Sequence, residues 1–342
     1  MKRLICIFAL AAAVACETEY PSLNGMGDSP IVHIQALPGL RDTMTLIVET
    51  AHPIGSSHEE DSPEEVRVKV DGKDVEVHKN DGSVRWLDAG GLYVTESFPP
   101  GSKVEITARS SGTPVAEAST VVPGSFPAYS YKTEWTTVDP GSYKAYSDFN
   151  FIMNLKGADV VRLDLKFKDE GRTDDFYGVM LVPEEHVFRN EAPAGINIRE
   201  SGYVLKGNST LSVDKDRIQM ICNPSKFFRD AWNVRPKNTF VIFSDEGFNG
   251  KEVVKEFLFD RLEDYIYAYD PATRYEYHYR LLLFRLSEEL YRYAESCIIS
   301  GMSDLLQFGQ APFFPYTNVT GGSGAFAALS MTDAGLLEIP EK

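Results

Sequence analysis

Long apolar runs, cysteine pairs and clustered histidines are scarce in this sequence, and each scarcity removes a class of function. Beyond the first residues, no segment stays apolar for the roughly 20 positions that a membrane-spanning helix requires, so no spanning helix is expected. The six histidines (His33, His52, His58, His78, His186 and His278) are scattered, with no H-E-x-x-H and no cysteine pair at ligand spacing. No metal site and no cofactor are expected on that basis. Basic residues are outnumbered, 34 against 50 acidic, giving a net charge of -16. A chain so acidic repels phosphate backbones, which excludes nucleic acid as a partner.

Nucleotide and nucleophile motifs are missing as well. Gly322-Ser323-Gly324-Ala325-Phe326-Ala327 fits the loose dinucleotide fingerprint G-x-G-x-x-G/A. That fingerprint works inside a strand-helix-strand unit with an acidic residue about 20 positions on, and here neither exists. Gly321-Gly322-Ser323-Gly324-Ala325 falls one residue short of the G-x-S-x-G nucleophile elbow, and no histidine follows His278. Glu184-Glu185-His186 reads as a solvated polar turn. Asp245-Glu246-Gly247-Phe248-Asn249-Gly250 is rich in oxygen ligands but lacks the alternating acids of a calcium loop. Fifty acidic residues always supply candidate carboxylate pairs, so such pairs are no evidence for glycoside hydrolysis. No catalytic residue is assigned, and the expectation is a protein that is not an enzyme.

What is present begins at the N-terminus. MKRLICIFALAAAVAC has two cations, a short apolar run and small residues before Cys16, the pattern of a secretory leader ending in a lipobox. Residues 1–15 are therefore expected to be removed, with Cys6, and Cys16 to carry acyl chains such as palmitate. Residues 16–28, polar with Pro and Gly, would form a tether. The membrane would then be reached through the lipid anchor only.

From residue 29 to 124 the chain runs in short alternating segments: IVHIQAL, TMTLIVET, EVRVKV, KDVEVHK, GLYVTES, KVEITARS and VAEASTVV. Asp71-Gly72 supplies the positive φ angles of a tight hairpin turn. About seven strands without helical periodicity predict an immunoglobulin-like sandwich. Pro123 to Pro127 marks a boundary. Residues 128–342 are again strand-rich and predict a larger β-sandwich or barrel-like domain, so the fold class is mainly β. One helix is expected at 287–300, docked on that domain: Ser287 caps, Glu288 and Glu289 complement the dipole, and Leu290, Ala294, Cys297 and Ile298 share a face. Cys222 and Cys297 remain in the mature chain, where an oxidising compartment permits a disulfide and a buried free thiol is the other reading.

The residues 265–279, YIYAYDPATRYEYHY, are the most unusual local feature. Tyr265, Tyr267 and Tyr269 alternate, and Tyr275, Tyr277 and Tyr279 alternate again, so each trio lies on one strand face. The face is either a packed aromatic ladder or a platform for flat ligands such as sugar rings.

YRLLLFRLSEELYRYAES, then Pro315-Tyr316-Thr317-Asn318-Val319 with Gly321, Gly322, Gly324 and Phe326, resembles the end of a family of Bacteroidota outer-membrane lipoproteins that carry a domain of unknown function, the DUF4249 type. FSDEGFNGKEV resembles the family's F-x-D-x-x-F-x-G-K element, and FKDEGRTDDFYGVML its strand, polar turn and aromatic strand. Ala327 departs from the family's usual glycine. The resemblance implies an outer-membrane, lipid-anchored accessory to a TonB-dependent receptor, on the periplasmic or cell-surface face, with no catalytic residues to transfer. Asn318, Gly321, Gly322, Gly324 and Phe326 would be structural. The other reading is a glycan- or peptide-binding module that uses the tyrosine face.

Overall fold

The computed structural model of the chain describes residues 29–40, 42–52, 63–83, 90–137, 159–171, 173–198, 203–205, 219–222, 240–259, 265–266, 270–301 and 316–342. Residues 1–28, on which the expected leader, tether and Cys16 fall, and Tyr267 and Tyr269 lie outside the described residues. The first strands are β1 (Ile31–Ala36), β2 (Thr43–Ala51), β3 (Glu65–Val70), β4 (Lys73–Val75), β5 (His78–Lys79), β6 (Leu92–Thr95), β7 (Lys103–Arg109) and β8 (Ala116–Val121). There follow β9 (Tyr129–Thr137), β10 (Asp159–Lys168), β11 (Phe176–Arg189), β12 (Ala192–Ile198), β13 (Tyr203–Leu205), β14 (Gln219–Cys222), β15 (Phe240–Ser244), β16 (Glu252–Phe259), β17 (Tyr265–Ile266) and β18 (Thr273–Leu286). The helix α1 (Glu288–Gly301) precedes β19 (Gly322–Phe326) and β20 (Leu329–Leu336). The fold is mainly β, with one helix among the described residues.

Alternation along the early strands turns one side of each inward, as in Ile31–Ala36 with Val32, Ile34 and Ala36 buried. Two sheets result, β4-β3-β7-β8 and β19-β1-β2-β6-β5, enclosing Ile34, Met44, Leu46, Val68, Val104 and Ile106. This is the expected immunoglobulin-like sandwich. Asp71 and Gly72 take φ of 49° and 77°, and Val70 pairs with Lys73, as a two-residue primed turn requires.

One member of that sandwich was assigned elsewhere by the sequence. β19 belongs to residues 128–342, yet it lies parallel to β1, from Val32 opposite Gly322 to Ala36 opposite Phe326. The chain's end therefore returns to complete the first sandwich, and Phe326 is buried in the first core rather than the second. A parallel partner nearly the whole chain away leaves no local pattern, which is why alternation could not reveal it.

The second sandwich packs the sheet β13-β16-β10-β9 against the sheet β14-β15-β11-β18-β17, to which β12 and β20 add by pairing with β11 and β18. Its core holds Leu163, Phe167, Tyr177, Phe243, Phe257 and Leu281. The opposite face of the larger sheet is covered too, by Leu290, Tyr291, Tyr293 and Ala294 of α1 and by Leu37 and Ala325 from the first sandwich. Strand β11 is thus buried on both faces from residue 177 to residue 183, and that stretch is accordingly apolar without alternation. Val122 belongs to the first core and Phe126 to the second, so the Pro123–Pro127 segment crosses from one to the other.

The helix starts where capping predicts. The Leu290 N–H donates to Ser287 Oγ at 3.3 Å. The same oxygen accepts from the Ala328 N–H at 3.1 Å, tying the cap to the segment between β19 and β20. α1, which carries Cys297, approaches β14, which ends at Cys222.

Candidate functional site

Two turns meet at one end of the second sandwich. One joins β10 to β11 and reads Asp169-Glu170-Gly171 onward to Asp175; the other joins β15 to β16 and reads Asp245-Glu246-Gly247 onward to Gly250. The Asp169 N–H donates to the Lys251 carbonyl at 3.1 Å, and the Asp245 N–H to the Asp175 carbonyl at 2.9 Å. Gly171 and Gly250, at φ of 69° and 73°, bring the backbones into contact, and a Cβ on Gly171 would lie 2.5 Å from Gly250 Cα. Only glycine permits that approach.

This stacking gathers three carboxylates. Asp169, Asp175 and Asp245 each place an oxygen within 4.8 Å of the others. Their exposures are 1%, 6% and 3%. Asp169 is well supplied with donors: the N–H groups of Gly171 at 2.8 Å and Gly250 at 2.7 Å reach Oδ2, and the Tyr177 hydroxyl reaches Oδ1 at 2.5 Å. Burial alone would raise its pKa, but these bonds outweigh it and hold the carboxyl below its ordinary value. Burial and that same bond push the Tyr177 phenol up, so it stays a donor. Asp175 Oδ1 accepts from the Thr173 hydroxyl at 3.0 Å and from Arg285 Nη2 at 2.5 Å.

The account does not balance at the other two acids. Asp175 Oδ2 and Asp245 Oδ2 are buried with no hydrogen-bond partner. Burial, assisted by the charges of Asp169, Asp175 and Asp174, pushes Asp245 up to about 6. Three carboxylates thus share one guanidinium. A cleft of about 560 Å³ opens beside them, lined by Asp174, Asp245, Glu246 and Glu295 with Phe176 and Tyr291.

A second buried polar cluster lies farther along β11, and there every carboxylate oxygen is paired. Glu184 Oε1 accepts from Arg280 Nε at 2.5 Å, and Oε2 lies 2.9 Å from His186 Nε2. Glu185, wholly buried, accepts from the Tyr277 hydroxyl at 2.8 Å and the Asn197 amide at 2.9 Å. These residues were read as a solvated turn; they lie within a strand, and both acids are buried. Three polar residues in a row read as a turn, whereas they pair with the hairpin strand β12 and with β18, whose Tyr277 lies 92 residues on from Glu185.

The tyrosine segment pairs as a hairpin, with Tyr265 opposite Tyr275. Tyr279 is fully buried against Phe259, with ring centroids 4.7 Å apart, and is a core residue rather than part of a ligand surface. Tyr277 is half-buried and serves Glu185; Tyr275 is half-buried.

The glycine-rich ending has a structural explanation. A Cβ at Gly322 would collide with the Val32 carbonyl oxygen, and one at Gly324, whose φ is 100°, with that of Ile34. β19 needs both glycines to lie against β1. Asn318 donates to the Phe326 carbonyl at 2.7 Å and accepts the Phe326 N–H at 2.9 Å, closing the loop between them. Ser323 Oγ lies 3.0 Å from His33 Nδ1, and His33 sits opposite Glu49. Burial holds His33 below its ordinary pKa, with Glu49 opposing.

Sequence reading singled out Asp245 and missed Asp169, Asp175, Tyr177 and Arg285. A signal was available: Phe167-Lys168-Asp169-Glu170-Gly171 and Phe243-Ser244-Asp245-Glu246-Gly247 share the pattern F-x-D-E-G, and their phenylalanines meet in the core at 6.2 Å between centroids.

Two joined β-sandwiches, with β19 returning to the first of them, make this a mainly β protein. Residues 19–334 match the family described as "Domain of unknown function (DUF4249)", and the chain belongs to that family. No protein of curated function matches it.

Proposed function

We propose that the protein is an outer-membrane lipoprotein, anchored by acyl chains on Cys16, that serves without catalysis as an accessory to a TonB-dependent nutrient-uptake receptor. The observation that carries this reading is the leader ending in Ala-Val-Ala-Cys16, followed by a polar tether ahead of the first sandwich. Such an arrangement holds a folded module at a membrane surface without inserting it. The glycines around Ser323 support the non-catalytic part, since contact with β1 already accounts for them. Crosslinking of the tagged protein in native membranes, with mass spectrometry of the products, tests the reading. Recovery of a TonB-dependent barrel is expected from wild type and not from Cys16→Ser; an unlipidated wild-type chain in the soluble fraction would overturn it.

A second reading, a glycan- or peptide-binding module, is favoured by a polar groove on the first sandwich rather than by the tyrosines. The groove, about 670 Å³, runs along the outer face of β3, β7 and β8 between Arg67, Arg109, Glu105 and Glu117 and is bounded by Asn318 and Thr320. Arg67→Ala and Arg109→Ala should then weaken glycan or peptide binding without lowering the melting temperature.

A further inference from the structure

We infer that the acidic double turn is a binding site for a single divalent cation, of the calcium type, held by Asp169, Asp175 and Asp245. The donor set is all carboxylate oxygen, the chemistry that hard cations select over softer metals. Three oxygens confined within 4.8 Å of one another lie no more than about 2.8 Å from a common centre, so an inward shift of a few tenths of an ångström at most brings all three to the roughly 2.3–2.6 Å of calcium–oxygen bonds. The remaining positions of a six- to eight-fold shell would be water, supplied through the adjoining cleft.

Acidity alone would not single out this place, since the sequence is acidic throughout. What distinguishes it is the pair of buried, unpartnered oxygens, Asp175 Oδ2 and Asp245 Oδ2, in residues 6% and 3% exposed. A buried carboxylate oxygen without a donor is costly, and proteins leave one where something else satisfies it. Among the groups facing the cluster, Arg285 is occupied on Asp175 Oδ1, and Tyr177, Gly171 and Gly250 are occupied on Asp169. Three carboxylates against one guanidinium leave two negative charges, which one divalent ion neutralises.

The surroundings favour capture. Asp174, Glu246 and Glu295 line the cleft beside Asp245, so cations are concentrated at its mouth. The position also gives the ion a structural effect. It would join the β10–β11 turn to the β15–β16 turn, next to where Phe176 of β11 stacks on Tyr291 of α1 at 4.6 Å. Occupancy would therefore brace the second sandwich beside the helix that contacts the first.

The test uses the whole chain, stripped with chelator and titrated with calcium chloride. One equivalent should bind with a dissociation constant at or below about 1 mM, the range of extracellular calcium modules. The melting temperature should rise by about 2–4 °C for each tenfold excess of calcium. Terbium should bind in its place and emit on tyrosine excitation, because the Tyr177 hydroxyl lies 2.5 Å from Asp169. Asp245→Asn should fold, as circular dichroism would show, and should lose both responses. Glu295→Gln, on the rim, should keep one equivalent at weaker affinity. A wild-type protein whose melting temperature does not respond to calcium up to about 10 mM, or an Asp245→Asn variant that binds undiminished, would overturn the inference and leave the two orphan oxygens as a pair sharing a proton.

Discussion

Strand β11 connects two buried acidic clusters that differ in one respect. At its far end Glu184 and Glu185 have a partner for every oxygen; at its start Asp175, with Asp169 and Asp245, leaves two oxygens unpartnered. Both clusters are buried within one sandwich, so burial is not what separates them. The first is complete as folded and behaves as structure. The second is incomplete as folded, and incompleteness at a buried site beside an acidic cleft is the signature of something to be bound.

The comparison can be broken or sharpened by substitution, starting with the largest effect. Glu185→Ala would empty a wholly buried site and take the acceptor from the half-buried Tyr277 hydroxyl and the exposed Asn197 amide, and should cost about 3 kcal/mol in urea unfolding, at about 1 kcal/mol for each lost bond and the remainder for the cavity. Its calcium response should be unchanged. Gly171→Ala places a left-handed φ on a residue with a Cβ and pushes it against Gly250, so it should cost about 2 kcal/mol and abolish the calcium response together.

A pH measurement comes next. Lys255 is buried with its Nζ 4.7 Å from the Phe243 ring centroid and 4.8 Å from that of Phe248, and burial pushes it down to about 8. A base whose folded pKa is depressed binds fewer protons folded than unfolded, so stability should grow as pH rises from about 8 toward 10.5 and be lost as it falls back through 8. The slope from this group is at most about 1.4 kcal/mol per pH unit, and Lys255→Met should remove it. The smallest effect expected is a gain: Asp245→Asn, without divalent ions at pH 7, should stabilise the protein by about 1 kcal/mol by removing one of three crowded charges. A loss of stability there would place Asp245 with the structural acids.

Much of the fold was legible because its causes are local. Alternation marks Ile31–Ala36 and Lys103–Arg109, Asp71-Gly72 marks a hairpin, and Ser287 followed by two glutamates marks a helix start. What stayed hidden depends on residues far apart. β19 joins β1 across nearly the whole chain, and Arg280 and Tyr277, which pair with Glu184 and Glu185, lie 96 and 92 residues on. The same limit explains the candidate site. The Asp245 turn, tested alone against the spacing of a contiguous calcium loop, fails; its fellow ligands come from another turn, and only the repeated F-x-D-E-G hinted that the two belong together. The tyrosines show the converse error: period two correctly placed Tyr275, Tyr277 and Tyr279 on one face, but periodicity does not say whether that face is covered, and Tyr279 is core.

The contrast between the two ends of β11 is tested most directly by a high-resolution crystal structure grown with calcium. The account predicts one ion in contact with Asp169, Asp175 and Asp245, ringed by six to eight oxygens at about 2.3–2.6 Å, with the Glu184–Glu185 cluster unchanged. Two carboxylates of the double turn in direct contact across a shared proton, with no ion between them, would contradict it.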